Sequence, residues 1–271
     1  MRRLLRRLRA FVVKDFLTDV SYRMAFAGQI VFLFFLVTAF YFFAQMFRGQ
    51  AIPSLEPYGG RYFPFVLVGL AFSSYLGVAI RSFAETIRSA QVLGTLEALL
   101  VTPTPTGQII VLSTVYAFLA TSLRVVVTLA FGVLLFGVSF ADANWAGALL
   151  VLGLTIVAFS FLGILSASVV LAFKRGDPSS WLVQGLSYLL GGVYYPVAVL
   201  PEWGQWLAQL LPITHALEAM RRLLLTGAGL DEVWGSLAGL LIFSAAAAPL
   251  SLGAFWLALR RVKREGSLSQ F

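Results

Sequence analysis

Six segments of this chain are apolar over about 20 residues or more, and only the third contains a charged side chain. Runs of this length cross the hydrocarbon core of a bilayer as helices, because a helix satisfies its own backbone hydrogen bonds there. With 59% hydrophobic and 12% charged residues, the composition also lies outside the range of soluble globular domains. We therefore predict an all-α membrane protein, a single domain over residues 1–271, with six transmembrane helices. The predicted spans are residues 24–47, 62–80, 109–140, 146–173, 179–199 and 234–259.

The basic residues determine the predicted orientation of these spans. Fifteen of the 20 Lys and Arg residues lie before the first span, in the loops after the second and fourth spans, or in the C-terminal tail. Because cytoplasmic segments carry the excess of Lys and Arg, we expect a multi-pass protein of a prokaryotic plasma (inner) membrane with both termini in the cytoplasm. The net charge of +8 comes mostly from these flanking residues, which predicts no nucleic-acid partner.

The first 22 residues predict an amphipathic helix at the membrane surface. Apolar side chains between residues 4 and 16 share one side, and basic side chains occupy the other, a pattern typical of helices that lie on anionic lipids. Asp15, Asp19 and Arg23 then follow one another at i+4 on the side that the apolar residues had used. This row indicates either docking on another protein or an ordinary solvated junction before the first span.

The loop after the second span contains a second amphipathic helix, predicted at residues 91–102. Its apolar side chains have the spacing of one helical face, and Pro103 and Pro105 end the helix. Ten residues make only about 15 Å, half the hydrocarbon thickness, so this helix must lie along the cytoplasmic surface. The pattern alone fits either a plain connector or a contact element for a partner. The stripe consists of Val92, Leu93, Leu96, Leu99 and Leu100.

Two sequence blocks resemble the permease subunits of type-2 ABC exporters, in the branch that exports drugs and lipids. The first is GTLEALLVTPTP at 94–105, and the second is GGVYYPVAVLPEW at 191–203, followed by LPITHALEAMR at 211–221. The resemblance covers essentially the whole chain. It implies a cytoplasmic coupling helix at 91–102, an external re-entrant hairpin at 200–227, and pairing with two cytosolic ATP-binding subunits. It also implies a second permease, either another copy in a homodimer or a paralogous chain.

None of the three lysines follows a glycine, so the chain lacks the P-loop lysine that holds nucleotide phosphates. The resemblance therefore implies that ATP and magnesium are bound by the partner ATPase and that this chain binds no cofactor. The residues expected to contact the ATPase are Gly94, Thr95, Glu97, Thr102, Pro103, Asp15, Asp19 and Asp177. Asp177 lies in a Gly-Asp-Pro turn, which is equally usual in any tight turn.

A further set of residues is expected along the translocation path or at its gate. These are Arg124, Tyr194, Tyr195, Pro196, Glu202, His215 and Glu218. Arg124 lies near the middle of the third span, where a charge costs about 2.5 to 3.5 kcal/mol. Its expected partner is Glu218, Glu202, a backbone carbonyl or the second permease, and its expected role is a structural anchor or part of the substrate path.

The function predicted from the sequence is the permease of an ATP-driven exporter, which is not itself an enzyme. Its expected substrate is an amphiphile, such as a drug, lipid or glycolipid, moved out of the cytoplasm or the inner leaflet. One alternative is an ion-coupled secondary transporter, although such proteins usually carry acidic residues inside their spans. The other is a membrane-embedded lipid-modifying enzyme that uses His215 with Glu218, Arg221 and Arg222 in the external hairpin.

Overall fold

The computed structural model describes residues 12–13, 16–17, 23–47, 49–50, 52–92, 106–173 and 178–265. Within these ranges the protein is helical and contains no strand. The helices are α1 (Arg23–Gln45), α2 (Tyr62–Val92), α3 (Thr106–Phe136), α4 (Trp145–Phe173), α5 (Pro178–Leu190), α6 (Glu202–Gln209), α7 (Pro212–Leu225) and α8 (Trp234–Glu265). Two short 3-10 helices, Pro53–Tyr58 and Val197–Val199, precede α2 and α6.

Five of these helices, α1, α2, α3, α4 and α8, are long and apolar enough to cross a membrane, and they confirm five of the predicted spans. The span predicted at 179–199 is not confirmed. Helix α5 has 13 residues, about 20 Å, and ends at Leu190. Gly192 follows with φ +75, a left-handed conformation that stops a helix, and Pro196 lies just beyond it. One continuous helix therefore does not cover this predicted span, because the chain turns at a point that hydropathy does not detect.

The long helices α1, α3 and α4 pack around α2, whereas α8 packs on α4 and α7. In the most apolar stretch of α2, 78% of the residues are buried. This helix contacts α1, α3, α4, α5 and α7. Close approach depends on small residues, as is usual between membrane helices. A Cβ on Gly163 of α4 would lie 2.3 Å from the carbonyl oxygen of Ala79 in α2, and a Cβ on Gly132 of α3 would lie 2.1 Å from the Leu67 side chain. Substituting Gly163 would force α4 and α2 apart, whereas substituting Gly132 would require the Leu67 side chain to move.

Helix α1 lies at the edge of the bundle, and only 6% of the residues in its most apolar stretch are buried. The Tyr41 ring attaches it near its C-terminal end by stacking on Phe136 of α3 at 4.3 Å and meeting Phe63 of α2 edge-on at 5.2 Å. The outward face of α1 is aromatic and exposed, as is the apolar face of α5. The exposed side chains of the two helices include Phe32, Phe35, Phe42, Trp181, Leu182, Leu186 and Leu189.

Several predicted elements lie outside the described residues. The structure covers only residues 12–13 and 16–17 of the predicted surface helix, all in helical conformation. Of the predicted coupling helix it covers only the first two residues, which form the end of α2. Gly94, Thr95, Glu97, Thr102, Pro103, Asp15, Asp19 and Asp177 all fall outside the described residues.

Candidate functional site

The candidate site lies at the end of the bundle where α6 and α7 form a helical hairpin, called here the hairpin end. Pro201 and Pro212 begin the two helices, and Gly227, with φ +68, follows the second. The predicted pair of short helices is thus present. Helix α6 exposes Trp203 and Trp206, whereas most of α7 is buried against α2, α4 and α8.

Arg221 is the most deeply buried charge among the described residues. It lies on α7 and is 3% exposed, whereas the sequence suggested it only as a member of the external cluster around His215. Its guanidinium points into the bundle, toward backbone carbonyls. Its Nε donates to the carbonyl of Phe65 at 3.1 Å, Nη1 to that of Gly192 at 2.8 Å, and Nη2 to that of Val193 at 2.9 Å.

The surroundings of Arg221 compensate for its burial. The guanidinium carbon lies 3.5 Å from the centroid of the Phe65 ring, a cation–π contact. Burial lowers the pKa of Arg221 to about 9, while the nearby Tyr58 and Glu218 oppose that shift. The side chain therefore stays cationic at neutral pH. Its planar fork connects α7 to α2 and to the segment after α5, a bond pattern that Lys does not reproduce.

Tyr58 and Glu218 form a second polar contact one helical turn from Arg221. The Tyr58 hydroxyl donates to the Glu218 carboxylate, and the Tyr58 ring lies 5.1 Å from that of Phe65. Burial, followed by the Glu218 charge and hydrogen bond, raises the pKa of Tyr58 well above its usual value. The phenol therefore remains protonated and keeps its role as the donor. This contact holds the 3-10 helix before α2 against α7.

The segment after α5 contains three predicted gate residues, and the structure brings them together at the hairpin end. The Tyr194 ring stacks on Phe40 of α1 at 5.7 Å with an interplanar angle of 4°, and its carbonyl accepts a hydrogen bond from Tyr62 at 3.0 Å. The Tyr195 hydroxyl donates to the carbonyl of Leu189, and Pro196 is buried. This segment therefore connects α1, α2 and α5.

Gly69 of α2 accommodates the same segment. A Cβ at this position would lie 2.2 Å from the Val193 carbonyl oxygen and 2.5 Å from Nη2 of Arg221. Real Cβ atoms essentially never approach backbone so closely. Glycine is thus required here so that the Val193 carbonyl reaches both α2 and the arginine.

His215 and Glu202 contribute less to this arrangement than predicted. His215 Nε2 lies 2.8 Å from the carbonyl oxygen of Gln209, and the ring packs against Gly239 of α8. It borders a cavity of about 520 Å³ that is also lined by Tyr58, Glu218 and Arg222. Glu202 lies in the first turn of α6 and is exposed. The His215 contact holds the hairpin turn, which is a structural role.

Arg124 does not join this site. It is half-buried in α3, and the structure gives its guanidinium no hydrogen bond or ion pair within the described residues. Glu218, one of its expected partners, bonds Tyr58 instead. Thr128 donates to the Arg124 backbone carbonyl at 2.8 Å, a bond within the helix that leaves the charge unaffected. The pairing of Arg124 with Glu218 is therefore wrong.

One sequence signal could have indicated the burial of Arg221. It follows Leu217 by four residues and precedes Leu224 by three, so it shares the apolar face of α7 with them. The acceptors of Arg221 are backbone carbonyls in distant segments. Every residue has a backbone carbonyl, so the sequence does not indicate which ones accept.

These features define a polytopic helical membrane protein whose hairpin end is held by a buried arginine. Residues 8–225 match the profile of the ABC-2 type transporter family, more than half of the chain. The chain belongs to the ABC-2 type transporter family.

Curated proteins similar to this chain include the probable multidrug ABC transporter permease YbhR of Escherichia coli (strain K12). It is 30% identical over 178 residues, which cover 65% of this chain and 47% of YbhR. The inner membrane transport permease YadH of the same strain is 32% identical over 169 residues, covering 61% of this chain and 64% of YadH. ABC transporter G family member 20 of Dictyostelium discoideum is 34% identical over 84 residues, 29% of this chain and 12% of that protein. The match spans less than two thirds of each of these relatives.

Proposed function

We propose that this chain is the membrane permease of an ATP-driven exporter and moves an amphiphilic substrate out of the cytoplasm or inner leaflet. The observation that carries the proposal is the family match over residues 8–225. The names of YbhR and YadH, both permeases, support it. In this proposal the five long helices and α5 form the membrane domain, and α5 with the irregular segment after it completes a sixth crossing.

The energy source in this proposal is a pair of cytosolic ATP-binding subunits that hold ATP and magnesium. They contact the loop between α2 and α3, through Glu97 and its neighbours, and the acidic residues Asp15, Asp19 and Asp177. From the excess of basic residues at that end, we infer that it lies in the cytoplasm and that the hairpin end lies outside. The hairpin then closes the outer end of the path, and the Tyr194 segment and Arg221 hold it shut.

A second permease, either another copy or a paralogous chain, would cover the exposed faces of α1 and α5. Both helices pack on α2, and Phe40 of α1 stacks on Tyr194 just after α5. Both present large apolar side chains away from their own bundle. A dimer built through these faces encloses a path beside α2, whereas the other exposed apolar faces meet lipid.

The test begins with a search of the neighbouring reading frames for an ATP-binding subunit, followed by reconstitution of that subunit with the permease. We expect the two proteins to copurify and the permease to stimulate ATP hydrolysis. Glu97→Lys, which reverses a charge on the proposed contact helix, should remove the stimulation, whereas Glu56→Lys at the hairpin end, where Glu56 is exposed, should leave it unchanged. Absence of copurification, or full stimulation by Glu97→Lys, would contradict the proposal.

A further inference from the structure

A cavity of about 600 Å³ lies at the end of the bundle opposite the hairpin. It is bordered by the C-terminal half of α2, by the first half of α5, and by single residues of α3 and α4. No residue of the hairpin site borders it. Sequence reasoning did not single out this region, because its polar side chains come from two helices about 100 residues apart in the chain.

Three polar groups converge above Gly77 of α2 in this cavity. A methyl group at Gly77 would lie 2.4 Å from Gln184 Nε2, 3.2 Å from Arg81 Nη2 and 3.4 Å from the Tyr188 hydroxyl oxygen. Gln184 donates to the Tyr188 hydroxyl at 3.1 Å, and Tyr188 donates to the Ser73 carbonyl at 3.2 Å. Glycine therefore lets the Gln184 amide approach α2 closely, beside the Arg81 guanidinium at the cavity.

Several donors in this cluster have no acceptor among the described residues. The exposed Arg81 side chain donates from Nε to the Gly77 carbonyl of its own helix at 3.3 Å, and within the described residues its terminal guanidinium nitrogens make no further hydrogen bond. One hydrogen of the Gln184 amide is likewise left over after its bond to Tyr188. Planar guanidinium and amide donors of this kind suit carboxylate and phosphate oxygens.

The charges around the cavity favour an anion. Its charged side chains are Arg81, Glu85 and Arg88, a net charge of +1 within the described lining. The structure gives no ion pair between Glu85 and either arginine in this part of α2. Nearby, the buried Ser82 hydroxyl has no hydrogen-bond partner in the described structure. A negatively charged group would meet several donors and one acidic side chain.

The rest of the lining is apolar. Val78, Ala117 and Val170 border the cavity, and Trp181 of α5 lies at its edge, 79% exposed. A ligand that fills both parts therefore combines an anionic end with a hydrocarbon part.

We infer that this cavity binds an anionic amphiphile, with its carboxylate or phosphate headgroup at Arg81 and Gln184 and its apolar part along α5. The inference rests on the proposed export function and narrows its substrate class. Phosphate at the end of a lipid and free inorganic phosphate share the headgroup chemistry, but only the lipid uses the apolar lining.

The experiment compares two probes with one acyl chain, lysophosphatidylglycerol, which is anionic, and lysophosphatidylcholine, which is zwitterionic. Binding to the purified permease in phosphatidylcholine nanodiscs is measured by tryptophan fluorescence. Both probes carry a phosphate, and they differ in the choline cation of the zwitterionic one. We expect wild type to bind the anionic probe about tenfold more tightly, because the choline cation is repelled by Arg81 and a unit charge at this range changes affinity by roughly that factor. Arg81→Gln should remove the difference, and Arg81→Lys should keep part of it.

Two further variants separate the site from general effects. Gly77→Ala changes no charge but fills the space above the helix, and it should weaken binding of the anionic probe. Arg61→Gln removes an exposed arginine at the other end of α2 and should leave the preference intact. Each variant is first compared with wild type in thermal unfolding, and Gly77→Ala is interpreted only together with Arg81→Gln.

Three results would overturn the inference: equal binding of both probes by wild type, an unchanged preference in Arg81→Gln, or displacement of the anionic probe by millimolar inorganic phosphate. The last result would identify a free-anion site. No ATPase is present in this assay. If the headgroup preference is absent but ATPase stimulation is intact, only the proposed substrate class is refuted. If ATPase stimulation is absent but the headgroup preference is present, only the proposed export function is refuted.

Discussion

Replacing Arg221 with methionine tests whether the buried cation holds the hairpin end together. Methionine retains most of the apolar stem but donates no hydrogen bond. The carbonyls of Gly192 and Val193 lie outside the helices and would lose the arginine, whereas Phe65 lies inside α2, where its carbonyl also serves the helix. An unsatisfied buried carbonyl costs about 1 to 3 kcal/mol, so two predict a loss of about 2 to 6 kcal/mol.

The assay is thermal unfolding of the purified protein in a fixed detergent, followed by tryptophan fluorescence. By the scaling of soluble domains, the expected loss lowers the melting temperature by on the order of 10 °C. Arg221→Lys should give an intermediate value, because one ammonium group does not match three planar acceptors.

The matched control is Arg222→Met. This neighbouring arginine is half-buried and makes one hydrogen bond, from Nη1 to the Glu232 carbonyl at 3.1 Å. Its loss should cost about 1 kcal/mol or less. If Arg221→Met melted with wild type, the reasoning would be refuted, because the desolvation of the guanidinium would then cancel its three bonds and the cation–π contact.

Three other outcomes follow from the same geometry. Gly69→Ala should lower the melting temperature at least as much as Arg221→Met, because the new methyl overlaps a carbonyl oxygen. Gly153→Ala, which has open space around it, should leave the melting temperature unchanged. Equal melting temperatures of the two glycine variants would contradict the packing. Tyr58→Phe should lower the free energy of unfolding, measured with urea or heat, by about 1 to 2 kcal/mol, because the Glu218 carboxylate loses a donor. An unchanged free energy would show that this contact does not stabilise the fold. The chain has no cysteine, so single variants can be labelled in intact cells: Gln50→Cys should react with an impermeant maleimide and Arg264→Cys only after lysis, and the opposite pattern would invert the proposed orientation.

The long helices were predictable because each depends on one local property, an apolar run of sufficient length. The run after residue 178 is long enough as well, yet the helix ends at Leu190. Its end depends on the backbone angle of Gly192, and a hydropathy average counts that glycine as nearly neutral. Similarly, α3 ends at Phe136, four residues before its predicted end, where Gly137 has φ +68. Glycine conformation was the missing information in both cases.

The site was less predictable because its most buried charge is bound by groups that the sequence does not display. We assigned Arg221 to the external hairpin and looked for an acidic partner only for Arg124. A search for pairs of opposite charge considers side chains alone and therefore overlooks backbone carbonyls as partners. In the structure, the buried charge of Arg221 is stabilised by three backbone carbonyls that lie 28 to 156 residues away in the chain. Gly69 lets one of these carbonyls approach. The cavity beside Gly77 has a similar origin at the other end of α2, where a missing side chain lets the Gln184 amide lie close to Arg81. The difference is that Arg221 donates to three backbone carbonyls, whereas the terminal nitrogens of Arg81 have no acceptor among the described residues. This difference makes the first arginine a structural clamp and the second a binding residue.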